Sequence, residues 1–427
     1  MTTQISFRER SLDLDYMRAI RLYLDTAGHW PNEQFGPKTM RTRILYIYHK
    51  LMLTILVYAE ISALCLIRVR MTTLDFIDLG QDYLSICISF VMITRMTLIL
   101  QGKFCSLIKN FVSKFHLLEH KHESELAAKE YRKVDKMCRI ATLFILLQCL
   151  FGQVMFNAVP IYVNVQAGLF TDRAHRPPNV TFVHSVNYYF IIDQYEDAIG
   201  YTMVSFLNAY ISYICGVSFC GLDLLIYIIV FHILGHFNIL VAKMRNFPTP
   251  LSCPDKSEES SEREYNEEAF KILKNLIQHD QLIKEFLNDT SNTFDITLCL
   301  CLLFHVISGC ISLLAISPMT AEALTRYGPL IFILYTQLIQ MSVIFELINS
   351  KVRLRNLSNT LSDEVYALPW EVMDERNRKT VLLFLVNVQQ PSSLKAGGLV
   401  PVGVLTMSQI IRNSFSYFLM LRTLGNV

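Results

Sequence analysis

Four long runs without a single charge constrain this chain more than any other feature. Residues 140–165, 200–222, 296–321 and 327–345 contain no Asp, Glu, Lys or Arg. Each is near or above the roughly 20 apolar residues that an α-helix needs to cross the hydrocarbon core of a bilayer. The second of them continues past Asp223 to Phe231. Residues 51–67 form a fifth run that carries only Glu60, and two weaker ones, 83–100 and 397–421, contain Arg95 and Arg412. The chain therefore reads as seven membrane spans. Backbone polar groups in lipid have to be satisfied within the segment, so the spans are helices and the fold class is all-α. A content of 52% apolar and 18% charged residues excludes a disordered or fibrous chain. The first 43 residues are polar and charged, and are not expected to act as a cleaved leader.

The basic residues give the orientation. Lys and Arg number 7 up to Arg43, then 9 in 101–139, 7 in 232–292 and 7 in 350–396. The alternate connections hold only Arg68 and Arg70, Arg173 and Arg176, and Arg326, which makes 30 against 5. Positive charge stays on the cytoplasmic side, so the N-terminus is expected inside and the C-terminus outside. The sequon at Asn179 falls on the outer side and is the expected glycosylation site. Seven helices invite comparison with G-protein-coupled receptors, but that class places its N-terminus outside.

Apolar residues recur at helical spacing on the cytoplasmic side. Phe104, Leu107, Ile108, Phe111 and Phe115 continue the second span inward as a helix. Leu273, Leu276, Ile283 and Leu287 lead into the fifth, and a further amphipathic helix occupies 369–388. Three such stripes need partners, either one another or a neighbouring subunit. Residues 250–268, rich in Ser and Glu, read as a solvated linker. The expected division is 1–43 as a cytoplasmic segment and 44–349 as spans one to six with their inner extensions. Residues 350–396 form a cytoplasmic anchor, and 397–427 hold the seventh span.

Ionisable groups at membrane depth face a cavity, a partner or an interface. Arg95 is close enough to the inner end of its span to snorkel, with Glu60 and Asp223 as alternative partners. The seventh span carries Ser408, Gln409, Asn413, Ser414, Ser416 and Thr423, which suits a helix lining water or a subunit seam better than one facing lipid. Tyr83, Phe156, Met203, Tyr210 and Tyr327 lie in the outer halves of their spans and suit either a ligand pocket or ordinary helix packing. His232 and His236 stand at i and i+4 without a carboxylate partner, and neither a metal, a cofactor nor a catalytic constellation is expected, so the chain is not read as an enzyme. The net charge of +2 carries no nucleic-acid footprint.

The C-terminal third is more specific. Tyr366-Ala-Leu-Pro369-Trp370 precedes the basic amphipathic helix. Gln390-Pro391-Ser-Ser-Leu394-Lys395-Ala396-Gly397-Gly398 follows, and the chain closes with Ser414-Phe-Ser416-Tyr417-Phe418-Leu419-Met420-Leu421-Arg422. This string resembles the C-terminal signature of insect odorant receptors, and the inverted seven-span layout extends the likeness over the whole chain. The resemblance implies an odorant-gated, non-selective cation channel in the plasma membrane of olfactory sensory neurons. Four subunits would surround one pore, held by a cytoplasmic anchor. Met420 and Leu424 match the family's hydrophobic gate and Thr423 the polar position beside it. The pocket implied lies among spans two to six in the outer half, at Leu79, Tyr83, Cys149, Gly152, Phe156, Met203, Leu207, Tyr210, Tyr327 and Leu330. The ligand would be a small volatile molecule. The family's co-receptor carries a longer loop between spans four and five, so this chain resembles a ligand-specific subunit that pairs with the co-receptor in a heterotetramer. A gustatory receptor channel and a metabotropic receptor are the alternatives.

Overall fold

The computed structural model describes residues 10–72, 79–171, 180–189, 193–249, 258–316, 335, 338–339, 360–389, 395–398, 400–401 and 404–425. It is helical almost throughout. The α-helices among the described residues are α1 (Asp15–Asp25), α2 (Met40–Arg70), α3 (Gly80–Ile99), α4 (Gly102–Asn110), α5 (Leu117–His120), α6 (Glu125–Gln166), α7 (Ala198–Arg245), α8 (Glu258–Ile316), α9 (Thr360–Tyr366), α10 (Glu375–Gln389) and α11 (Val404–Gly425). A two-residue antiparallel ladder pairs Lys395 with Pro401 and Ala396 with Val400, just before α11.

Local chemistry starts these helices where the chain needs them. Thr39, Ser124, Asp197 and Asp374 each accept a backbone N–H of the following first turn, at 3.3, 3.1, 2.9 and 2.8 Å, and so cap α2, α6, α7 and α10. Among the described residues, five helices, α2, α3, α6, α7 and α8, are long and apolar enough to cross a membrane. The sixth predicted span lies mostly outside the described residues, and α11 is the seventh.

Three of the spans are far longer than a bilayer requires. α6, α7 and α8 contain 42, 48 and 59 residues. At about 1.5 Å per residue they reach roughly 63, 72 and 88 Å, against about 30 Å of hydrocarbon. The excess lies at the end carrying α4, α5 and α10, the end that the charge count assigns to the cytoplasm. Helix α7 is the axis of the bundle. Every residue from 221 to 237 is buried, which is the pattern of a helix surrounded on all faces.

Within that axis lies an ion pair. The Arg95 side chain, 1% exposed, places Nη2 2.9 Å from Asp223 Oδ1. Nη1 donates to the Phe219 carbonyl at 2.9 Å, and the guanidinium lies 4.2 Å from the centre of the Phe219 ring. Nη2 also reaches Cys301 Sγ at 3.5 Å, so one side chain joins α3 to α7 and α8. Arg95 therefore does not snorkel. With an acidic partner on the central helix, pairing inside the bundle removes the need to reach the interface.

Two further expectations change. The second span does not run on as one helix, because Gln101 is extended and restarts the chain as α4, with a π turn at Phe111–Phe115 before α5. Residues 258–268, read as linker, are the first turns of α8. Their Glu and Arg are good helix formers, and Tyr265 and Asn266 tie them to Pro248 and Asp374.

Breaking a buried pair strands a charge, at a cost of about 3–5 kcal/mol, whereas replacing both partners by apolar groups is often nearly neutral. Arg95→Met is therefore expected to lower the thermal unfolding midpoint of the purified protein sharply. Arg95→Met combined with Asp223→Leu is expected to recover most of the loss.

Candidate ligand pocket and pore helix

The outer end of the bundle is covered by the loop residues 180–189 and 193–197, which four helices hold through polar side chains. From α6, Asn164 donates to the Val183 carbonyl at 2.9 Å and accepts the Val183 N–H at 2.8 Å. From α2, Ser62 donates to the Tyr189 carbonyl at 2.9 Å and accepts its N–H at 3.0 Å. Asn208 of α7 donates to the Val186 carbonyl at 3.0 Å. From α3, the buried Asp82 accepts from Asn187 at 2.8 Å and from Arg70 at 3.1 Å. Within the loop, the Gln194 side chain donates to the Tyr188 carbonyl, and the Gln194 backbone carbonyl accepts from His184 Nε2 at 2.9 Å. Backbone irregular at this depth has to be satisfied by such partners.

Beneath this cover, Ala59 and Ala63 of α2, Val204 of α7 and Tyr188 of the loop form a buried cluster, with Ile86, Val186 and Ile211 against it. Glu60 is also buried here, and its Oε2 atom has no hydrogen-bond partner. The sequence singles out Glu60 but not the apolar residues around it. The small side chains of α2 recur at i and i+4 on its buried face, a signal present in the sequence but indistinguishable there from ordinary packing.

The residues taken from the resemblance divide into four groups. Leu79 is buried and Tyr83 half-buried at the start of α3, while Gly152, Phe156 and Leu207 face inward wholly or in part. Cys149 is buried lower down, where its Sγ meets the Tyr23 hydroxyl of α1 at 2.8 Å. Met203 and Tyr210 lie on the outward flank of α7, 57% and 42% exposed in this chain, and the Tyr210 hydroxyl bonds that of Tyr48 at 2.6 Å. At that level the inward face of α7 is instead Tyr201, Val204 and Asn208. The helical phase, with one face per 3.6 residues, explains the difference. Tyr327, Leu330 and Asn179 lie outside the described residues.

Helix α11 shows one narrow buried stripe, Ile410, Ser414 and Phe418 at i, i+4 and i+8. That stripe rests on α8. Ser414 donates to the Val306 carbonyl at 3.1 Å, and Phe418 packs with Cys310 and Leu314. Gly309 makes the approach possible, since a Cβ there would lie 2.7 Å from Ser414 Oγ. Most of the rest of α11 is uncovered, including Gln409, Asn413, Ser416, Met420 and Thr423. The Thr423 hydroxyl turns back to the carbonyls of Leu419 and Met420, at 3.0 and 2.7 Å. A small cavity behind the helix is lined by His305, Ser308, Tyr335, Leu338 and Ile410.

Loss of a charge-assisted hydrogen bond costs about 1.5–3 kcal/mol. Asp82→Ala is accordingly expected to speed amide exchange across residues 182–189 by about tenfold to a hundredfold, leaving α10 unaffected. Unchanged exchange in the loop would show that Asp82 does not hold it.

Comparison with known proteins agrees with this geometry. The sequence model of the 7tm Odorant receptor family matches residues 75–415. Odorant receptor 67c of Drosophila melanogaster is 24% identical over 348 residues, covering 79% of this chain and 78% of that one. Putative odorant receptor 85d of the same species is 30% identical over 95 residues, or 22% of each chain. The solved insect olfactory receptor OR5 from Machilis hrabei superposes with a TM-score of 0.74 at 11% identity, over 95% of this chain and 97% of that one. Its complex with eugenol gives 0.73 at 12% identity, over 97% and 99%. At such identities the likeness speaks for the fold, which is the seven-helix receptor plan. The family match spans most of the sequence, and this chain belongs to the 7tm odorant receptor family.

Proposed function

We propose that the chain is the odorant-binding subunit of a ligand-gated, non-selective cation channel, built as a tetramer with the family's co-receptor in the plasma membrane of olfactory sensory neurons. The observation that carries this reading is α11. A polar helix covered on one stripe only has to meet either water or other subunits over the remainder, and a pore lined by four copies supplies both.

The cytoplasmic helices support an assembly. On α10, Val381, Phe384 and Val388 are buried against the chain's own core, while Leu382, Leu383 and Val386 are 60%, 70% and 54% exposed. An apolar flank of this kind on a polar cytoplasmic helix fits a subunit interface. Lys284 of α8 fixes the end of α10 by donating to the Asn387 carbonyl at 2.8 Å. Asn179 is proposed to carry an outer-surface glycan.

Ligand recognition is expected to be mainly apolar. Burial contributes roughly 25 cal/mol per Å², so a volatile molecule that buries about 200 Å² gains about 5 kcal/mol. Shape complementarity beneath the 180–197 loop then sets selectivity, and the solved relative bound to eugenol supports a small organic ligand. Opening follows if the ligand binds more tightly to a state in which the α11 helices stand apart and their apolar constriction hydrates. A ligand with equal affinity for both states would shift nothing.

The test is expression together with the co-receptor in cells that lack other receptors, with a panel of volatiles. Met420→Ala removes an apolar side chain from the proposed constriction. It is expected to raise the ligand-free current and to change relative cation permeability. Currents identical to those of the unaltered pair would remove Met420 from the gate.

A further inference from the structure

Five histidines from three segments meet in the cytoplasmic half of the bundle. His116 lies just before α5, His120 within it, His232 and His236 on α7 and His279 on α8. Ring centres are 4.1 Å apart for His116 and His232, 5.1 Å for His120 and His236, and 5.2 Å for His236 and His279. His116, His232 and His236 are completely buried.

The backbone dictates the tautomers. His236 Nε2 faces the Phe115 carbonyl at 2.7 Å, an acceptor only, so Nε2 bears the hydrogen and Nδ1 is bare. His279 Nε2 lies 3.0 Å from that Nδ1 and must donate to it. This leaves His279 Nδ1 bare, buried and without a hydrogen-bond partner. On the other side, His116 Nδ1 accepts the Leu118 N–H at 3.1 Å, so its Nε2 donates to the Tyr16 hydroxyl of α1 at 2.7 Å. His232 Nδ1 accepts the Leu117 N–H at 3.3 Å. The contacts that His116, His232, His236 and His279 make among α5, α7, α8 and α1 are thus built from neutral imidazoles, and they end on a vacant base, whereas His120 turns its two nitrogens to the Glu123 carboxylate and the Lys114 carbonyl at 2.6 and 3.0 Å.

We propose that this cluster is a cytosolic proton sensor. A proton taken up at His279 Nδ1 places a cation among close-packed imidazoles, separates α8 from α7 and α5, and lowers the open fraction of the channel.

The surrounding charges do not relieve such a cation. Lys243 of α7 repels it. Glu123, in the turn before α6, is already held by His120 at 2.6 Å and Lys243 at 3.5 Å. Asp280 of α8 is paired with Lys284 at 2.9 Å, and Glu130 of α6 with Lys133 and Asn238. Burial pushes His279 down to about 4 and His116 to about 3, and holds His232 and His236 well below the ordinary imidazole range. A free imidazole takes its proton near pH 6.5. Between these values the separated state binds more protons than the packed one. Packing is therefore strongest above about pH 6.5 and weakens as pH falls toward 4. From about pH 7.4 to about pH 6.0, each released histidine favours separation by about fourfold, and His236 and His279 together by roughly tenfold or more. The signal reaches the pore because α8 is one continuous helix, and its outer half carries α11 on Gly309 and Val306.

The effect on current rests on the channel reading given above; the packing change does not. Inside-out patches from cells expressing this chain with the co-receptor would be perfused on the cytosolic face at both pH values. A reversible, severalfold fall in odorant-evoked current at about pH 6.0 is expected, beyond that of co-receptor-only channels. His279→Gln keeps an amide donor toward His236 Nδ1 but takes up no proton, and it should blunt the fall. His122→Gln, at an exposed histidine outside the cluster, should not. A fall equal to that of the co-receptor alone, or one unaltered by His279→Gln, would overturn the sensor. Amide exchange of the wild-type complex provides a readout independent of channel activity and of mutant folding. After correction for intrinsic rates, residues 113–120, 230–240 and 275–283 should exchange severalfold faster at about pH 6.0. Unchanged rates there would overturn the proposal even if currents fall.

Discussion

The ion pair between Arg95 and Asp223 is the constraint on which the rest of the molecule depends. A lone charge at this depth would draw in water or distort the bundle. Paired on the central helix, and shared with the Phe219 carbonyl and Cys301, it fixes α3, α7 and α8 in one register. From that point α7 and α8 run unbroken in both directions. Outward, α7 forms one wall of the space beneath the 180–197 loop and α8 carries α11. Inward, the same two helices form the frame on which α1, α5 and α10 pack.

In the proposed function, this arrangement separates recognition from permeation while linking them mechanically. The apolar cluster around Ala59, Ala63, Tyr188 and Val204 lies between α2, α3 and α7, whereas α11 rests on α8 through a three-residue stripe. Among the described residues, α8 offers a route by which a change in helix spacing at the first site reaches the second, since interiors packed at crystal-like density move as units. The contact at Ser414, Gly309 and Val306 is the narrowest part of that route.

Much of this plan is legible in the sequence, because lipid is an exacting solvent. Uncharged runs mark spans, and the imbalance between Arg68 and Arg70 on one side and the nine basic residues of 101–139 on the other marks orientation. The polarity of α11 is equally plain. What the sequence hides is side-chain phase and long-range partnership. Met203 and Phe156 look alike as apolar residues in outer half-spans, yet one turns outward and the other inward. Arg95 lies within snorkelling reach of an interface by position, and only the presence of Asp223 across the bundle settles its direction. The break at Gln101 carries no proline, and Gly102 alone is a weak stop. The histidine cluster draws on residues up to 163 positions apart, which no local pattern shows.

Ligand binding is proposed to open a pore within the receptor complex itself. Recording from excised patches that hold this chain and the co-receptor, bathed without GTP or ATP, tests it most directly. An active volatile is expected to open cation-conducting channels within milliseconds, and its removal to close them. Responses that require nucleotide, or that vanish on excision while intact cells still signal, would contradict it.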